Sequence, residues 1–308
     1  MLVHQRQSPL NPGRVVILGA GGFLSPVLKR TLEGSGINTL ALGSKTIDLM
    51  ADSAREALAS ELHASDVVVM TAGLTPDRGR DVGTLMANLR MGESVAWALA
   101  RQTVSQLIYI SSDGVYDGRT TSLLNEDSSC EPADLYCLMH IGREKILGQA
   151  TKAVRIPFTI VRPCAIYGAG DTHNSYGPNR FARTATESGK ITLFGNGEEK
   201  RHHVFVGDVA EVIRLCIVHG STGVINAATG NAVSFAEAAG LIARAAGPGV
   251  AIECLPRATA VTHRHFDLSA LAQAFPDFRA MPLEKGLAQM TQAMTQTITM
   301  PQGELCPR

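Results

Sequence analysis

The sequence predicts an α/β fold with a doubly wound parallel sheet, and two observations support this prediction. Short apolar runs bounded by turn residues recur through the first half of the chain, and segments with helical apolar spacing lie between them. Runs that are apolar throughout, rather than at every second residue, are typical of strands buried on both faces. Strands that alternate with helices favour a parallel sheet covered by helices on both faces, as in a Rossmann-type domain.

The individual elements follow from these patterns. The predicted strands begin at Arg14, Ile37, Asp66, Gln106 and Phe158. The predicted helices begin at Ser53, Gly83 and Leu135. We expect a Rossmann domain over 13–170, with 202–230 returning to it, and a smaller substrate-binding lobe assembled from 171–201 and 231–300.

Charge and cysteine content narrow the class of partner. The 28 basic residues balance the 28 acidic ones, so no net field favours nucleic acid or an anionic membrane. The 6 cysteines form no CxxC pair, which argues against a zinc site or a disulfide framework. The start of the chain has no apolar core of signal-peptide length, and no apolar run reaches the roughly 18 residues needed to span a bilayer. We therefore expect a cytoplasmic protein without a bound metal, a nucleic-acid partner or a membrane anchor.

A glycine-rich loop follows the first predicted strand, in the stretch VVILGAGGFLSPVL. Gly19 and Gly22 occupy the first two positions of a GxxGxxG spacing, and Ser25 occupies the third. Glycine permits the tight turn and the close approach of backbone amides that a pyrophosphate needs at a helix N-terminus. Ser25 is small enough to keep the helix near the strand. The loop therefore predicts a dinucleotide site, with Phe23 and Leu24 also in contact with the cofactor.

The end of the second strand bears on the choice between NAD and NADP. Proteins that bind NAD in this way usually carry an acidic residue there, which binds the ribose hydroxyl groups. No acid lies between Ile37 and Ile47, and the segment offers Ser44 and Lys45 instead. A hydroxyl group and a cation suit a 2′-phosphate, so the sequence favours NADP. A surface lysine is often only solvated, and NAD remains the alternative.

Several motifs follow one another later in the chain. They are ISSDGVYDG from Ile110, Tyr136 with His140 and Glu144 at intervals of four, VRPCAIYG from Val161, and LFGNGEEKRHHVFVGDVAE from Leu193. This order resembles that of the extended short-chain dehydrogenase/reductase family, and of its NAD-dependent epimerase/dehydratase branch, over nearly the whole chain. The segments SSDGVYDG and GSKTIDL are similar to those of dTDP-4-dehydrorhamnose reductases and GDP-fucose synthases in particular.

The resemblance implies a role for each matching residue. Ser112 would hydrogen-bond the reacting oxygen, and Tyr136 would act as general acid/base, because hydride transfer at a carbon is coupled to proton transfer at its oxygen. Six residues would contact the dinucleotide: Asp48 and Leu49 near the adenine, Ala72 and Gly73 along the molecule, and Pro163 and Ile166 beside the nicotinamide.

His140 occupies the position where the family carries a lysine, one helical turn from Tyr136. In the family that lysine lowers the tyrosine pKa and holds the ribose of the nicotinamide. Histidine has a reference pKa of about 6.5 and is mostly uncharged at neutral pH, so it gives Tyr136 little electrostatic help. Three outcomes are open: His140 is a weaker substitute in both roles, the site serves chemistry that needs no ionised tyrosine, or the protein binds a dinucleotide without turnover.

The segment GEEKRHHVFVGDV resembles the family stretch that grips the diphosphate of a nucleotide sugar, and Arg201 holds the arginine position within it. Asn179 is expected to contact the substrate, since the AIY segment lacks the asparagine that many relatives carry. Asn88 is expected to brace the backbone around the site. Asp208 and Glu211 have the spacing of a capping box and predict a helix start.

These expectations combine into one main hypothesis and one alternative. The main hypothesis is an NAD(P)-dependent oxidoreductase, epimerase or dehydratase that acts by hydride transfer on a nucleotide sugar or a related carbonyl or alcohol, and the sequence does not separate these reactions. The alternative is a catalytically impaired dinucleotide-binding protein, such as a redox-responsive regulator or an assembly subunit, which His140 supports. The resemblance also implies a possible homodimer through the helices that begin near Gly83 and Leu135.

Overall fold

A seven-stranded sheet with helices on both faces forms the larger part of the molecule. The computed structural model describes residues 2–116, 123–174 and 176–299. The strands are β1 (Val3–His4), β2 (Arg14–Leu18), β3 (Thr39–Leu42), β4 (Asp66–Met70), β5 (Gln106–Ile110), β6 (Phe158–Pro163), β7 (Ala165–Tyr167), β8 (Lys190–Phe194), β9 (Lys200–Arg201), β10 (His203–Phe205), β11 (Ser221–Ala227), β12 (Val233–Ser234) and β13 (Ala251–Leu255). The helices are α1 (Leu24–Gly34), α2 (Ala54–Glu61), α3 (Val82–Arg101), α4 (Leu135–Ala153), α5 (Pro178–Ser188), α6 (Val206–Val218), α7 (Phe235–Ala246), α8 (Ser269–Ala274) and α9 (Leu283–Thr299). Within the described ranges, none of these helices has both the length and the apolarity needed to cross a membrane.

The strand order of the sheet creates a crevice. The order is β1-β11-β6-β5-β4-β2-β3, and every neighbouring pair is parallel except β1 with β11. The chain runs from β2 to β3 on one side and then crosses to β4 on the other. This reversal opens a crevice at the carboxyl ends of β2 and β4, which is where such folds bind ligands. The arrangement confirms the predicted doubly wound parallel sheet.

Two apolar clusters cover the faces of the sheet. On one face α1 and α6 pack together around Leu28 and Ile213. On the other face α2, α3 and α4 contribute Leu58, Val95 and Leu147. All five side chains are fully buried. Because both faces are covered, the central strands are apolar at consecutive positions, which is the pattern that predicted them.

A third apolar cluster lies in the carboxyl-terminal part of the chain, where α5, α7 and α9 pack around Phe181 and Leu287. The chain returns from this region to the large sheet through β11, which pairs with β6. Leu271 and Phe275 pack in the cluster with α1 and α6, although the predicted division assigns 231–300 to the smaller lobe. Helix α8 is too short for its periodicity to show which core it joins.

Helix α6 begins differently from the prediction. It begins at Val206, so Asp208 lies within the first turn instead of at the cap. The Asp208 carboxylate accepts a hydrogen bond from the Met281 amide at 2.9 Å, and burial raises its pKa to about 6. The predicted capping box is wrong because a distant segment of the chain uses this carboxylate. A capping box forms instead at the start of α7, between Ser234 and Glu237.

Candidate active site

A cleft made of two adjoining cavities opens at the crevice between β2 and β4. The loop chamber, of about 400 Å³, is lined by the glycine loop, the segment after β3 and the segment after β4. The tyrosine chamber, of about 370 Å³, is lined by the start of α4, the end of β5 and the segment around β7. An elongated cleft at this place suits a dinucleotide that crosses the carboxyl ends of the strands. The lining that the chambers share is Gly22, Thr71, Ala72, Gly73, Thr75 and His173.

The glycine loop folds tightly against the segment after β4. Gly19 has a φ of +112°, and a Cβ atom there would lie 2.7 Å from the Ala72 amide nitrogen, so only glycine fits. The amides of Gly19 and Ala20 donate to the Leu42 carbonyl at 2.8 and 3.1 Å. The Ser25 hydroxyl donates to the Gly19 carbonyl at 2.7 Å, and Ser25 is buried. Ser25 therefore holds α1 against the loop from the third position of the spacing.

The structure brings most of the predicted cofactor residues to the cleft. Those in the loop chamber are Gly19, Gly22, Ser44, Asp48, Leu49, Ala72 and Gly73. Those in the tyrosine chamber are Gly22, Phe23, Leu24, Ala72, Gly73, Tyr136, His140, Pro163 and Ile166. Lys45 lines neither chamber, and its side chain is exposed. Arg78, which the sequence did not single out, lines the loop chamber.

Ser112 lines the tyrosine chamber just after β5. Its Oγ accepts a hydrogen bond from the Gly114 amide at 3.0 Å and caps a short 3-10 turn, Asp113–Val115. This contact fixes the side chain and occupies one acceptor position. Among the described residues the hydroxyl group has no acceptor of its own, so its hydrogen can serve a bound molecule. Ser112 is therefore suited to donate to a substrate oxygen.

Tyr136 lies in the first turn of α4 and lines the same chamber. Asp134 caps this helix by accepting from the Cys137 amide at 2.8 Å. Burial raises the pKa of Tyr136 to about 12, and the cation that opposes this rise is Arg143. The phenol is therefore protonated at neutral pH.

His140 is buried beside Tyr136, and the two rings meet edge to face with centroids 4.8 Å apart. Its Nδ1 is hydrogen-bonded to the Tyr109 hydroxyl at 2.8 Å, whereas Nε2 has no partner among the described residues. Burial, with a smaller contribution from the charge of Arg143, lowers the pKa of His140 to about 3. The imidazole is neutral at physiological pH, and one of its two nitrogens is buried without a partner among the described residues, which is a rare state for a buried polar atom.

Arg143 brings a positive charge to the site, and sequence reasoning missed it. It lines the tyrosine chamber and is 1% exposed. Its guanidinium donates to the carbonyls of Asn88 and Ala72, each at 2.7 Å, and to Asn88 Oδ1 at 3.1 Å. The sequence held one signal for it, because Arg143 follows His140 by three residues and so shares its helical face.

A buried ion pair holds α4 against the sheet. Arg162 on β6 donates through Nε and Nη2 to the two carboxylate oxygens of Glu144 at 2.9 and 2.7 Å. Ser111 donates to Glu144 Oε1 at 2.6 Å, and Arg162 also donates to the Tyr116 hydroxyl at 2.9 Å. A two-pronged contact of this kind fixes orientation as well as distance. It therefore determines which residues α4 presents to the cleft.

Two asparagines near the cleft serve the backbone. Asn88 accepts from the Leu74 amide at 2.8 Å and donates to the Leu74 carbonyl at 2.9 Å, which is the bracing role that the sequence predicts. Asn179 lines the tyrosine chamber, but its Oδ1 accepts from the Gly168 amide at 3.0 Å and its Nδ2 donates to Asp171 at 2.9 Å. Because these contacts occupy its amide, Asn179 is placed to shape the chamber wall more than to bind a sugar.

Arg201 does not line the cleft with the other predicted residues. Its guanidinium donates to the Thr262 carbonyl at 2.5 Å and to the Thr262 hydroxyl at 2.8 Å, and lies 3.7 Å from Glu199. Burial lowers its pKa. A contact with a substrate diphosphate would require this side chain to leave these partners.

His173 spans the cleft where the two chambers meet. Its Nδ1 is hydrogen-bonded to Thr75 Oγ1 at 2.9 Å and lies 3.3 Å from Asp77 Oδ1. Thr75 follows β4, whereas His173 precedes α5, so the contact ties opposite walls together. The sequence offered no signal for it, because the partners are far apart in the chain.

The lining fits a nicotinamide dinucleotide on two observations. The glycine loop leaves a cradle that a Cβ atom would fill, and the buried Nε2 of His140 lacks a partner in the described part of the chain. The described residues contain no group of three or more His, Cys, Asp or Glu side chains that could hold a metal ion.

These features define a Rossmann-type dinucleotide-binding protein with a serine and a tyrosine in the chamber beside the glycine loop. The model of the NAD dependent epimerase/dehydratase family matches residues 15–228. The chain belongs to this family, and the match confirms the family that the order of its motifs indicates. This family consists of NAD(P)-dependent enzymes of the extended short-chain dehydrogenase/reductase type.

Individual relatives are more distant. The chain is 28% identical over 227 residues to dTDP-4-dehydrorhamnose reductase of Mycobacterium tuberculosis, covering 72% of this chain and 71% of the relative. It is 28% identical over 165 residues to the spore coat polysaccharide biosynthesis protein SpsK of Bacillus subtilis, covering 52% of this chain and 56% of the relative, so it spans about half the length of that protein. A GDP-L-fucose synthetase from Naegleria fowleri, solved bound to NADP, superposes with a TM-score of 0.83 at 16% identity, over 97% of this chain and 98% of the other. At that identity the superposition shows the fold alone.

Proposed function

We propose that this protein reduces a carbonyl group on a nucleotide-linked sugar, with NADPH as the preferred hydride donor. The observation that carries the proposal is that Ser112 and Tyr136 line the chamber that adjoins the glycine loop. Similarity to dTDP-4-dehydrorhamnose reductase supports the substrate class and the reductive direction.

The protonation states of the unliganded site at neutral pH match those that reduction starts from. Reduction needs a protonated acid at the reacting oxygen, whereas oxidation of an alcohol needs an ionised base. Burial raises the pKa of Tyr136 to about 12 and lowers that of His140 to about 3. At neutral pH the pair therefore offers a phenol hydrogen and no ionised tyrosine. Epimerisation and dehydration that begin with oxidation would need the opposite protonation state.

The residues of the tyrosine chamber divide the work of reduction. When bound, the dinucleotide supplies the hydride. Ser112 donates a hydrogen bond to the carbonyl oxygen and so orients the substrate. Tyr136 transfers its phenol proton to that oxygen, so the carbonyl becomes an alcohol, and the phenolate takes a proton back from solvent. Pro163 and Ile166 form an apolar wall that limits access of water.

The segment after β3 selects NADPH over NADH. Ser44 lines the loop chamber, Lys45 follows it at the surface, and Arg78 lines the same chamber from the segment after β4. No acidic side chain lies in 43–47 to repel a 2′-phosphate. Lys45→Ala and Arg78→Ala should therefore weaken binding of NADPH more than of NADH in a fluorescence titration. Equal weakening of both cofactors would contradict the assignment.

The proposed reaction is tested by a screen of keto-sugar nucleotides, with loss of NADPH absorbance as the readout. Tyr136→Phe should lower turnover by about 10²- to 10⁴-fold, because it removes the proton donor. Tyr167→Phe is the matched control, since Tyr167 is a buried phenol outside the cleft whose hydroxyl has no partner among the described residues. An unchanged rate in Tyr136→Phe would reject the mechanism.

His140 favours a second candidate, a dinucleotide-binding protein without turnover. Its imidazole carries no charge at neutral pH, so the site lacks the fixed cation that residue 140 provides in related enzymes. Tight NADPH binding with neither reduction nor oxidation of any nucleotide sugar would support this candidate over the reductase. Turnover that appears only in His140→Lys would lead to the same conclusion.

A further inference from the structure

The dinucleotide cleft contains a buried cation, but not at the position where the tyrosine motif places one. We propose that the two tasks of the missing lysine are divided between Arg143, a positioning residue that supplies the positive charge, and His140, whose Nε2–H is the donor to a hydroxyl of the bound dinucleotide. Tyr109 holds His140 through its hydroxyl group. The inference deepens the proposed function and rests on it for the identity of the bound molecule.

The charge of Arg143 is available to the cleft because no carboxylate among the described residues pairs with it. The side chain is 1% exposed and lines the tyrosine chamber. Its acceptors among the described residues are the carbonyls of Asn88 and Ala72, the Asn88 amide oxygen and the Met91 sulfur, and none of these is a carboxylate. An unpaired buried charge is costly to the fold. The charge has a functional effect, because Arg143 opposes the rise that burial causes in the pKa of Tyr136.

Tyr109 determines which nitrogen of His140 carries the hydrogen. The Tyr109 hydroxyl lies 2.8 Å from His140 Nδ1. Burial raises the pKa of Tyr109 and so keeps its phenol protonated, and the nearby charge of Arg143 opposes that rise. A phenol is a stronger acid than the N–H of a neutral imidazole, and an imidazole nitrogen is a stronger base than a phenol oxygen. The phenol therefore directs its hydrogen to Nδ1.

A neutral imidazole that accepts at Nδ1 must carry its hydrogen at Nε2. Nε2 is the atom of His140 that has no partner within the described ranges, and His140 lines the tyrosine chamber. The arrangement therefore presents a hydrogen-bond donor from the residue that replaces the lysine, while the charge lies one helical turn further along α4.

The first test measures the tautomer of His140 by ¹⁵N NMR of the histidine-labelled protein, with the signal assigned by its loss in His140→Gln. We expect hydrogen on Nε2 in the wild-type protein, and a shift of this nitrogen's resonance when NADPH binds. Hydrogen on Nδ1, or an Nε2 resonance that does not respond to bound NADPH, would overturn the proposal. Neither measurement depends on turnover, and the variant serves only to assign the signal.

The second test separates charge from packing by NADPH titration. Arg143→Met should weaken NADPH binding at least tenfold, and Arg143→Lys should restore most of the loss. Lys145→Met is the control, because Lys145 is an exposed cation on the same helix.

The same titration tests how residues 140 and 143 depend on each other. His140→Lys should weaken NADPH binding in the wild-type background, where two buried cations would repel, but strengthen it in Arg143→Met. Wild-type affinity in a folded Arg143→Met protein, or the same effect of His140→Lys in both backgrounds, would contradict the division of roles. If these results hold while no nucleotide sugar is turned over, the proposed reaction fails and the division of roles stands.

Discussion

His140 differs from a lysine not only in its ordinary charge but in its response to burial. A buried lysine can lose several units of pKa and still be charged near neutral pH. The imidazole begins at 6.5, and burial takes its pKa to about 3, so it holds no charge at any pH at which the protein is expected to work. Burial keeps His140 neutral near pH 7, and the same burial makes the folded protein less stable in acid.

The buried neutral imidazole of His140 predicts that the protein loses stability as the pH falls. Because the pKa of His140 is lower in the folded chain than in the unfolded chain, stability is fully present above pH 6.5 and falls as the unfolded chain takes up the proton. Between pH 7 and pH 5 this residue should remove about 2 kcal/mol of the free energy of unfolding. His140→Gln should abolish that part of the slope in urea unfolding at a series of pH values, whereas His63→Gln, at an exposed site, should not. An identical slope in wild type and His140→Gln would contradict the pKa assignment.

At the scale of single elements, α4 carries the site because one of its sides contains four functional residues. His140, Arg143 and Glu144 follow Tyr136 by four, seven and eight residues, and these spacings place all four along one side of a helix. Glu144 fixes this face to β6 through Arg162. The spacing is visible in the sequence, but the partner of each residue is not.

Removing one member of the buried pair should destabilise the whole domain. Arg162→Met leaves the Glu144 carboxylate, whose side chain is 6% exposed, without its cation, and should cost about 3–5 kcal/mol of the free energy of unfolding. Arg214→Met is the matched control, because Arg214 pairs with Glu211 in a more exposed place and should cost about 1 kcal/mol or less. Chemical denaturation of both variants provides the comparison, and equal losses would show that burial of the pair is not what matters.

The glycine loop is the second element whose geometry can be tested directly. Gly19→Ala forces a Cβ atom to within 2.7 Å of the Ala72 amide nitrogen at a φ of +112°. This change should cost more than about 1 kcal/mol of stability and should also abolish NADPH binding, because the loop must shift. Gly34→Ala, at a site with open space around it, should leave both quantities unchanged. Normal cofactor affinity in Gly19→Ala would argue that the loop does not hold the phosphates.

At the scale of the whole molecule, the cleft depends on segments that are far apart in the chain. His173 meets Thr75 across the cleft, and Arg143 reaches the segments on either side of the loop that follows β4. Outside the cleft, large apolar side chains remain at the surface of α3 and α4, with Val82 63% exposed, Met86 58% and Leu138 43%. A pair of helices with such a surface is consistent with the expected homodimer.

The dimer is tested by light scattering during size-exclusion chromatography. We expect the wild-type protein to have the mass of two chains, and Met86→Glu with Leu138→Glu to have the mass of one, because the interface would bury both charges. Val261→Glu, which alters an exposed apolar residue outside both helices, should remain dimeric. A wild-type protein of single-chain mass at micromolar concentration would rule the interface out.

The sequence by itself determined the parallel sheet and the glycine cradle, because apolar periodicity and glycine geometry are properties of neighbouring residues. The order of its motifs indicated that Ser112 and Tyr136 share a site. Only the tertiary structure decided that Arg201 is engaged by Thr262 away from the cleft, that Asp208 binds the Met281 amide instead of capping its helix, and that Arg143 brings a charge to the site. Those outcomes depend on contacts between distant segments, and burial then sets the charge of each group. The spacing of residues along the chain predicts neither these contacts nor the burial of each group.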